Sequence, residues 1–147
     1  MATTSTEPVD CPSWWHFSHE ADIGVAGCGR TLAEAFAQTA LAMTRVITEA
    51  PVAGAMHVAV RCRAPDPELL LVEWLNALVF EMATRRLLFG RFDVRIDGDT
   101  LEADAWGEPV DRARHSPAVE VKGATYTALE VAQDAGGRWI ARCVIDV

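Results

Sequence analysis

The first half of the chain changes from a strand-like to a helix-like pattern of apolar residues. Two segments, Trp14 to His19 and Glu20 to Gly29, are aromatic or alternate apolar with small residues, which favours extended structure. Thr31 followed by Glu34 matches a capping box, so a helix is predicted to begin there. Pro51 ends this helix or follows its end. The buried face of the helix is predicted to consist of Leu32, Phe36, Ala40, Met43 and Ile47.

A second strand and a second helix follow. Apolar and polar residues alternate from Met56 to Arg63, which predicts a half-buried strand. Asp66 has the character of an N-cap and Pro67 suits the first turn of a helix. The body of this helix, from Glu68 to Arg86, is apolar around most of its circumference. We therefore expect it to be buried on several sides or to pack against a partner protein.

The second half of the chain is predicted to be rich in strands. The turn Asp97-Gly98-Asp99 separates two strand-like runs, and a loop from Pro109 to Pro117 follows them. Two more strand-like runs, Ala118 to Ala132 and Arg138 to Val147, are divided by the turn residues 134–137. Because most strands adjoin through hairpins, the order of elements predicts an α+β fold: two helices packed on a mixed or antiparallel β-sheet in a single two-layer domain.

Composition restricts the classes of function. The chain has 147 residues, half of them apolar, which suits one domain with a full core. We predict a polar leader at residues 1–12, without the pattern of a secretory signal, and a folded domain at residues 13–147. The formal charge of -8 opposes contact with a phosphate backbone over a large area. We expect a cytoplasmic protein that contacts no membrane and meets RNA only indirectly.

The four cysteines are far apart in the sequence and include no C-x-x-C pair. A zinc site needs closely spaced ligand pairs, so this spacing argues against one. We interpret the cysteines as reduced thiols that behave as small apolar residues, and we predict no disulfide framework.

Several polar residues allow both an ordinary and a functional interpretation. Asp22 is typical of a turn aspartate, and Asp146 of a frayed end, although the last strand is apolar enough to dock and hold Asp146 and the Val147 carboxylate in place. Such oxygen donors suit hard cations such as Ca²⁺ or Mg²⁺. Lys122 by itself is an ordinary strand lysine. His19 and His115 are candidates for orienting a ligand, binding metal or moving protons, and both have the alternative role of loop anchors.

Several segments together, in this order, resemble the archease family. They are HEADIGV (19–25), LLLVEWLNALVF (69–80), LLFGRFDV (87–94), GEPVDRARH (107–115), EVKGATY (120–126) and the closing IDV. One position differs: the family usually has His-Thr-Ala-Asp, and Glu20 here replaces the threonine and adds a negative charge beside Asp22.

The resemblance implies a small α/β protein that assists an RtcB-type RNA ligase in tRNA splicing or RNA repair. It implies help with guanylylation of the ligase, which supports multiple turnover. The family's metal site falls on Asp22, Asp146 and the terminal Val147, for a divalent ion that is Ca²⁺ or resembles Mg²⁺ or Mn²⁺, and its functional lysine falls on Lys122.

The residues alone leave two other functions open. Carboxylates with a lysine are compatible with a metal-dependent hydrolase of a phosphate-containing substrate. A non-catalytic interaction module that uses the apolar second helix as a dimer or partner face is the other. The chain has no G-x-S-x-G, P-loop or G-x-G-x-x-G motif, so we expect an activator and not an enzyme. Nothing in the sequence sets the oligomeric state.

Overall fold

A computed structural model describes residues 10–147. The elements follow the predicted order, with one short helix and one additional strand. They are β1 (Ser13–His19), β2 (Asp22–Gly29), α1 (Leu32–Ile47), β3 (Met56–Arg63), α2 (Pro67–Arg85), β4 (Leu87–Asp97), β5 (Thr100–Pro109), α3 (Arg112–His115), β6 (Gly123–Ala124), β7 (Glu130–Gln133) and β8 (Trp139–Asp146). The predicted leader lies largely at residues 1–9, outside the described residues, so its boundary stays a prediction.

Both long helices begin at the predicted caps. The backbone N–H of Glu34 donates to Thr31 Oγ1 over 3.1 Å, and Glu34 Oε1 in turn accepts from the backbone N–H of Arg30 at 2.7 Å. At α2, Asp66 Oδ1 accepts from the backbone N–H of Leu69 at 2.9 Å, with Pro67 in the first turn. Side chains close in sequence therefore fix both helix starts.

The strands form two antiparallel sheets. The five-stranded sheet has the order β1-β2-β8-β6, with β7 also paired to β8, and the three-stranded sheet has the order β3-β5-β4. The α+β class and the packing of helices on antiparallel sheets are thus confirmed. The predicted run from Ala118 to Ala132 was too long: only β6 and β7 pair with β8 as strands, and the residues between Ala124 and Glu130 bulge out of the ladder, with Ala128 at φ of 54°.

The main core lies where both helices meet the sheets. The indole N–H of buried Trp74 on α2 donates to the carbonyl oxygen of Phe36 on α1 over 3.0 Å, which satisfies the indole inside an apolar cluster. Most of the apolar surface of α2 is buried within this chain, with Phe80 left 62% exposed. The apolar residues around α2 are therefore explained mainly by their burial in the core of this chain.

The prediction of four reduced thiols was wrong for two of them. Cys11 and Cys28 form a disulfide with Cα atoms 5.4 Å apart. The sequence spacing concealed the pair because the β1–β2 register places Ser13 opposite Cys28, and Cys11 lies just beyond that pair. Cys62 and Cys143 are free, and burial raises the pKa of their thiols to about 11 and about 12.

The apolar stretch of α2 does not qualify as a membrane span. Within residues 10–147, no helix is long and apolar enough to cross a bilayer.

Candidate functional site

Asp22 and Asp146 lie at the same edge of the five-stranded sheet. β2 begins at Asp22 and β8 ends at Asp146, and the two strands are antiparallel neighbours. Their last aligned pair is Ile23 with Ile145, so each aspartate is the next residue outward on its strand. Ile145 is buried whereas both aspartates are exposed. The apolar ends of the strands thus hold two solvent-facing carboxylates on adjacent strands.

Lys122 reaches the same edge from the other side of β8. Its backbone N–H donates to the carbonyl oxygen of Asp146 over 2.7 Å, and Gly123 is aligned with Asp146 in the β6–β8 pair. Asn76 on α2 fixes this short strand, because its Oδ1 accepts from the backbone N–H of Ala124 at 2.8 Å. Three chain segments that are distant in sequence therefore bring the backbone at Asp22, Asp146 and Lys122 to one edge of the sheet.

The side-chain charges of this edge have no ion-pair partner within residues 10–147. Among the described residues, no hydrogen bond or ion pair engages the carboxylates of Asp22 and Asp146 or the ammonium of Lys122. Nine contacts between an arginine and an aspartate or glutamate occur elsewhere in the described part of the chain, so charged side chains of this protein commonly find partners. The edge is therefore free to bind a ligand of either charge.

The donors present suit part of a divalent-metal site. Within residues 10–147, no group of three or more His, Cys, Asp and Glu side chains is placed to hold a metal ion. Asp22 and Asp146 present two carboxylates of the kind that hard cations prefer, and the third donor that the resemblance implied, the carboxylate of Val147, stays a prediction. Such a set leaves positions for water or for oxygens of a bound partner.

His19 adjoins this edge through the β1–β2 hairpin. It is aligned with Asp22, and Glu20 in the turn between them has a left-handed φ of 55°. The Nδ1 atom of His19 is buried and has no hydrogen-bond partner among the described residues, with Glu20 Oε2 at 3.8 Å. A nitrogen donor beside Asp22 is thus left unsatisfied, although the described contacts include no hydrogen bond from His19 to Asp22.

His115 belongs to a different, structural cluster. Its Nδ1 accepts from the backbone N–H of Asp111 at 2.9 Å, so Nε2 carries the ring proton and donates to Glu108 Oε2 over 3.1 Å. Thr48 Oγ1 donates to the carbonyl oxygen of His115 over 2.5 Å. These contacts bind α3 to the end of β5 and to the loop after α1, and the metal and proton-transfer roles considered for His115 find no support in them.

Glu108 is the centre of that cluster, and the sequence interpretation missed it. The Arg114 guanidinium, the backbone N–H of Ala53 at 2.6 Å and the His115 ring all donate to it and lower the pKa of its carboxyl from 4.5 to about 2. The available signal was an acidic residue near the end of an apolar strand, with an arginine and a histidine six and seven residues later.

The fold and this edge define the class of protein: a small α+β protein with an exposed pair of carboxylates next to a lysine and no described nucleophile–base pair. Comparison with known proteins gives the family. The Archease protein family (MTH1598/TM1083) matches residues 14–147. The chain belongs to the archease family.

Individual relatives agree over nearly the whole chain. Protein archease of Pyrococcus furiosus is 37% identical over 139 residues, which cover 91% of this chain and 98% of that protein. Protein archease of Sulfolobus acidocaldarius is 36% identical over 134 residues, covering 89% and 96%. The solution structure of Methanobacterium thermoautotrophicum protein 1598 superposes with a TM-score of 0.80 at 32% identity, covering 92% of this chain and 99% of that one. The likeness therefore includes the strands that carry the candidate site.

Proposed function

We propose that this protein is an accessory factor that activates an RtcB-type RNA ligase in tRNA splicing or RNA repair. It promotes guanylylation of the ligase and multiple turnover, and it is not itself an enzyme. The observation that carries the proposal is the convergence of Asp22, Asp146 and Lys122 at one edge without partners among the described residues. Membership of the archease family supports the same function.

Each residue of the edge has a distinct role in this proposal. Asp22, Asp146 and the Val147 carboxylate hold a divalent cation of the Ca²⁺, Mg²⁺ or Mn²⁺ type, since such ions prefer anionic oxygen ligands. When bound, the cation neutralises phosphate oxygens. Lys122 supplies a positive charge that offsets the repulsion between the carboxylates and meets phosphate. His19 orients Asp22 through a contact that forms when the ligand binds.

In this proposal the protein works in the cytoplasm and contacts RNA only through the ligase. The formal charge of -8 makes its long-range field unfavourable for bare RNA. We expect no salt-sensitive complex with isolated RNA at sub-micromolar concentration, measured by fluorescence anisotropy without ligase. Tight, salt-sensitive binding would contradict the indirect role.

The deciding experiment measures guanylylation and turnover of the RtcB-type ligase from the same cell, with and without this protein. Stimulation by a protein that joins no RNA alone is the expected result. Asp22→Ala, Asp146→Ala and Lys122→Ala should each fold normally and lose stimulation, because all three side chains are exposed and lack described partners. Asp97→Ala, an exposed aspartate at the β4–β5 turn, is the matched control.

The metal is tested separately by calorimetric titration with calcium or manganese. A C-terminal extension converts the Val147 carboxylate into a neutral carbonyl and should weaken binding as strongly as Asp146→Ala, whereas an N-terminal tag should leave it unchanged. Equal metal binding by both tagged forms would reject the Val147 donor. RNA joining or phosphate release by the isolated protein would reject the activator role in favour of an enzyme.

A further inference from the structure

A cleft of about 420 Å³ with both apolar and polar lining lies between the C-terminal half of α2 and the segment that leads from α3 to β6. Its apolar walls come from Val79, Met82, Leu87, Val119 and Val121. Its volume falls in the range of sites that hold a ligand or a few peptide side chains. The cleft is separate from the charged edge formed by Asp22 and Asp146.

One wall of the cleft is an extended segment with unused backbone groups. Ala118 N–H donates to the carbonyl oxygen of Ile47 over 2.8 Å, and Lys122 N–H donates to that of Asp146 over 2.7 Å. Between these anchors, the backbone N–H and C=O groups of residues 119–121 have no hydrogen-bond partner in the described part of the chain. An anchored, extended and unpaired backbone is the usual template for adding a peptide strand.

The charged residues that border the cleft are one arginine, Arg112, and one glutamate, Glu120. The backbone of Arg86 also lies near the cleft, because the backbone N–H of Val110, a lining residue, donates to the Arg86 carbonyl oxygen over 3.0 Å. Both arginines are exposed, and neither forms an ion pair with any described residue. Glu120 also borders the cleft, but it is exposed and alternates with the inward Val119 and Val121, so it faces solvent.

We propose that the cleft is a docking site for an extended peptide segment of the partner ligase. The peptide places apolar side chains in the cleft and pairs an acidic side chain with Arg112. The unpaired backbone selects an extended peptide, and the unpartnered guanidinium of Arg112 selects an acidic side chain on that peptide. Lys122 directly follows the unpaired segment, so a docked peptide would lead to the candidate site. This inference rests on the proposed function and adds a contact that sets affinity, not the extent of activation.

The test combines direct binding to the ligase, measured by calorimetry, with titration of this protein into the turnover assay. Ala83→Gln places bulk at the mouth of the cleft on an exposed helical position, and Arg112→Glu reverses the rim charge. We expect each change to weaken binding and raise the half-maximal concentration about fivefold or more, with unchanged stimulation at saturation. The controls are Thr84→Gln, next to Ala83 but outside the cleft, and Arg30→Glu before α1. Thermal unfolding of all four variants checks that they fold.

The outcomes separate the two proposals. If the wild-type protein binds and stimulates, and the cleft variants behave like their controls, the docking site is wrong and the proposed function stands. If it binds without stimulating, the proposed function fails, and the cleft is still judged by the binding of the variants. If it does neither, both fail. If the cleft variants dissociate a wild-type dimer in sedimentation but leave ligase affinity unchanged, the cleft is a self-interface and the proposal is overturned.

Discussion

Gly27 shows how closely β2 packs on α1, and its replacement by alanine should be strongly destabilising. A Cβ atom at this position would lie 2.4 Å from the backbone N of Thr39 and 2.6 Å from the carbonyl oxygen of Ala35. Unstrained contacts between such atoms need about 3.5 Å, so the overlap is about 1 Å. Both obstacles are helix backbone, which cannot rotate away as a side chain would. The whole of α1 would have to shift, together with the core residues packed beneath it.

The magnitude follows from two opposing effects. Overpacking of this kind costs about 1–3 kcal/mol, and contact with rigid backbone favours the upper end. Replacing glycine in a strand recovers about 0.5–1 kcal/mol of chain entropy and strand propensity. We therefore expect Gly27→Ala to lower the free energy of unfolding by about 2 kcal/mol. For a chain of this size, that loss lowers the melting temperature by roughly 4–8 °C.

Urea denaturation followed by tryptophan fluorescence and thermal melting both measure this change. Gly136→Ala is the matched control, because the nearest atom to its Cβ would be Asp134 Oδ1 at 3.5 Å, an ordinary contact. If Gly27→Ala is as stable as Gly136→Ala, β2 and α1 are not packed as closely as described, and the argument fails.

Three further predictions address charge, backbone strain and the disulfide. The pKa of Glu108 is lowered from 4.5 to about 2 in the folded protein, so the stability that its carboxylate contributes is complete above pH 4.5 and is lost as pH falls from there toward 2. The variant Glu108→Gln should be less stable at pH 7 and should lose less stability on acidification. A series of urea midpoints against pH measures this, and an acid profile unchanged from the wild type would refute it. Glu20→Gly should raise the free energy of unfolding by up to about 1 kcal/mol, because glycine accepts the φ of 55° without steric cost. A urea midpoint that does not increase would contradict the left-handed backbone at this turn. Thiol titration in denaturant should detect two thiols without reductant and four with it, since only Cys11 and Cys28 are joined. The bond joins residues 17 positions apart, so its reduction should lower the free energy of unfolding by at most about 3 kcal/mol. The loss should be smaller than this limit, because the hairpin already holds both ends together. Four reactive thiols before reduction would exclude the bond.

Features that depend on near neighbours in the sequence were predictable. The starts of α1 and α2 followed from Thr31 with Glu34 and from Asp66 with Pro67, because a cap acts within three or four residues. The alternation along β3 correctly predicted the buried side chains of Val58 and Val60 and the exposed ones of Arg61 and Arg63, whereas Met56 at the start of the strand is exposed. The α+β class followed from the order of such segments.

Several interpretations needed contacts that no local pattern contains. The long predicted strand is interrupted between Ala124 and Glu130, and this is visible only in the register with β8, where their partners are Ile145 and Arg142. From the sequence, the apolar surface of α2 could pack either in the core or against a partner protein. The structure shows that α1 and both sheets bury most of it. A histidine can bind metal, so the sequence left that role open for His115. Its role as an anchor is evident only from the hydrogen bonds of its ring with Asp111 and Glu108.

The sequence by itself determined the two long helices, most strands, the fold class and, through its resemblance to a family, which residues to consider for the site. Only the tertiary structure decided that Asp22 and Asp146 stand at one edge, that Lys122 joins them, and that Cys11 lies against Cys28. The physical reason is the range of the interactions. Caps and periodicity act over a few residues, whereas the pairing of β2 with β8 joins strands at opposite ends of the chain, and its register depends on how the entire core packs.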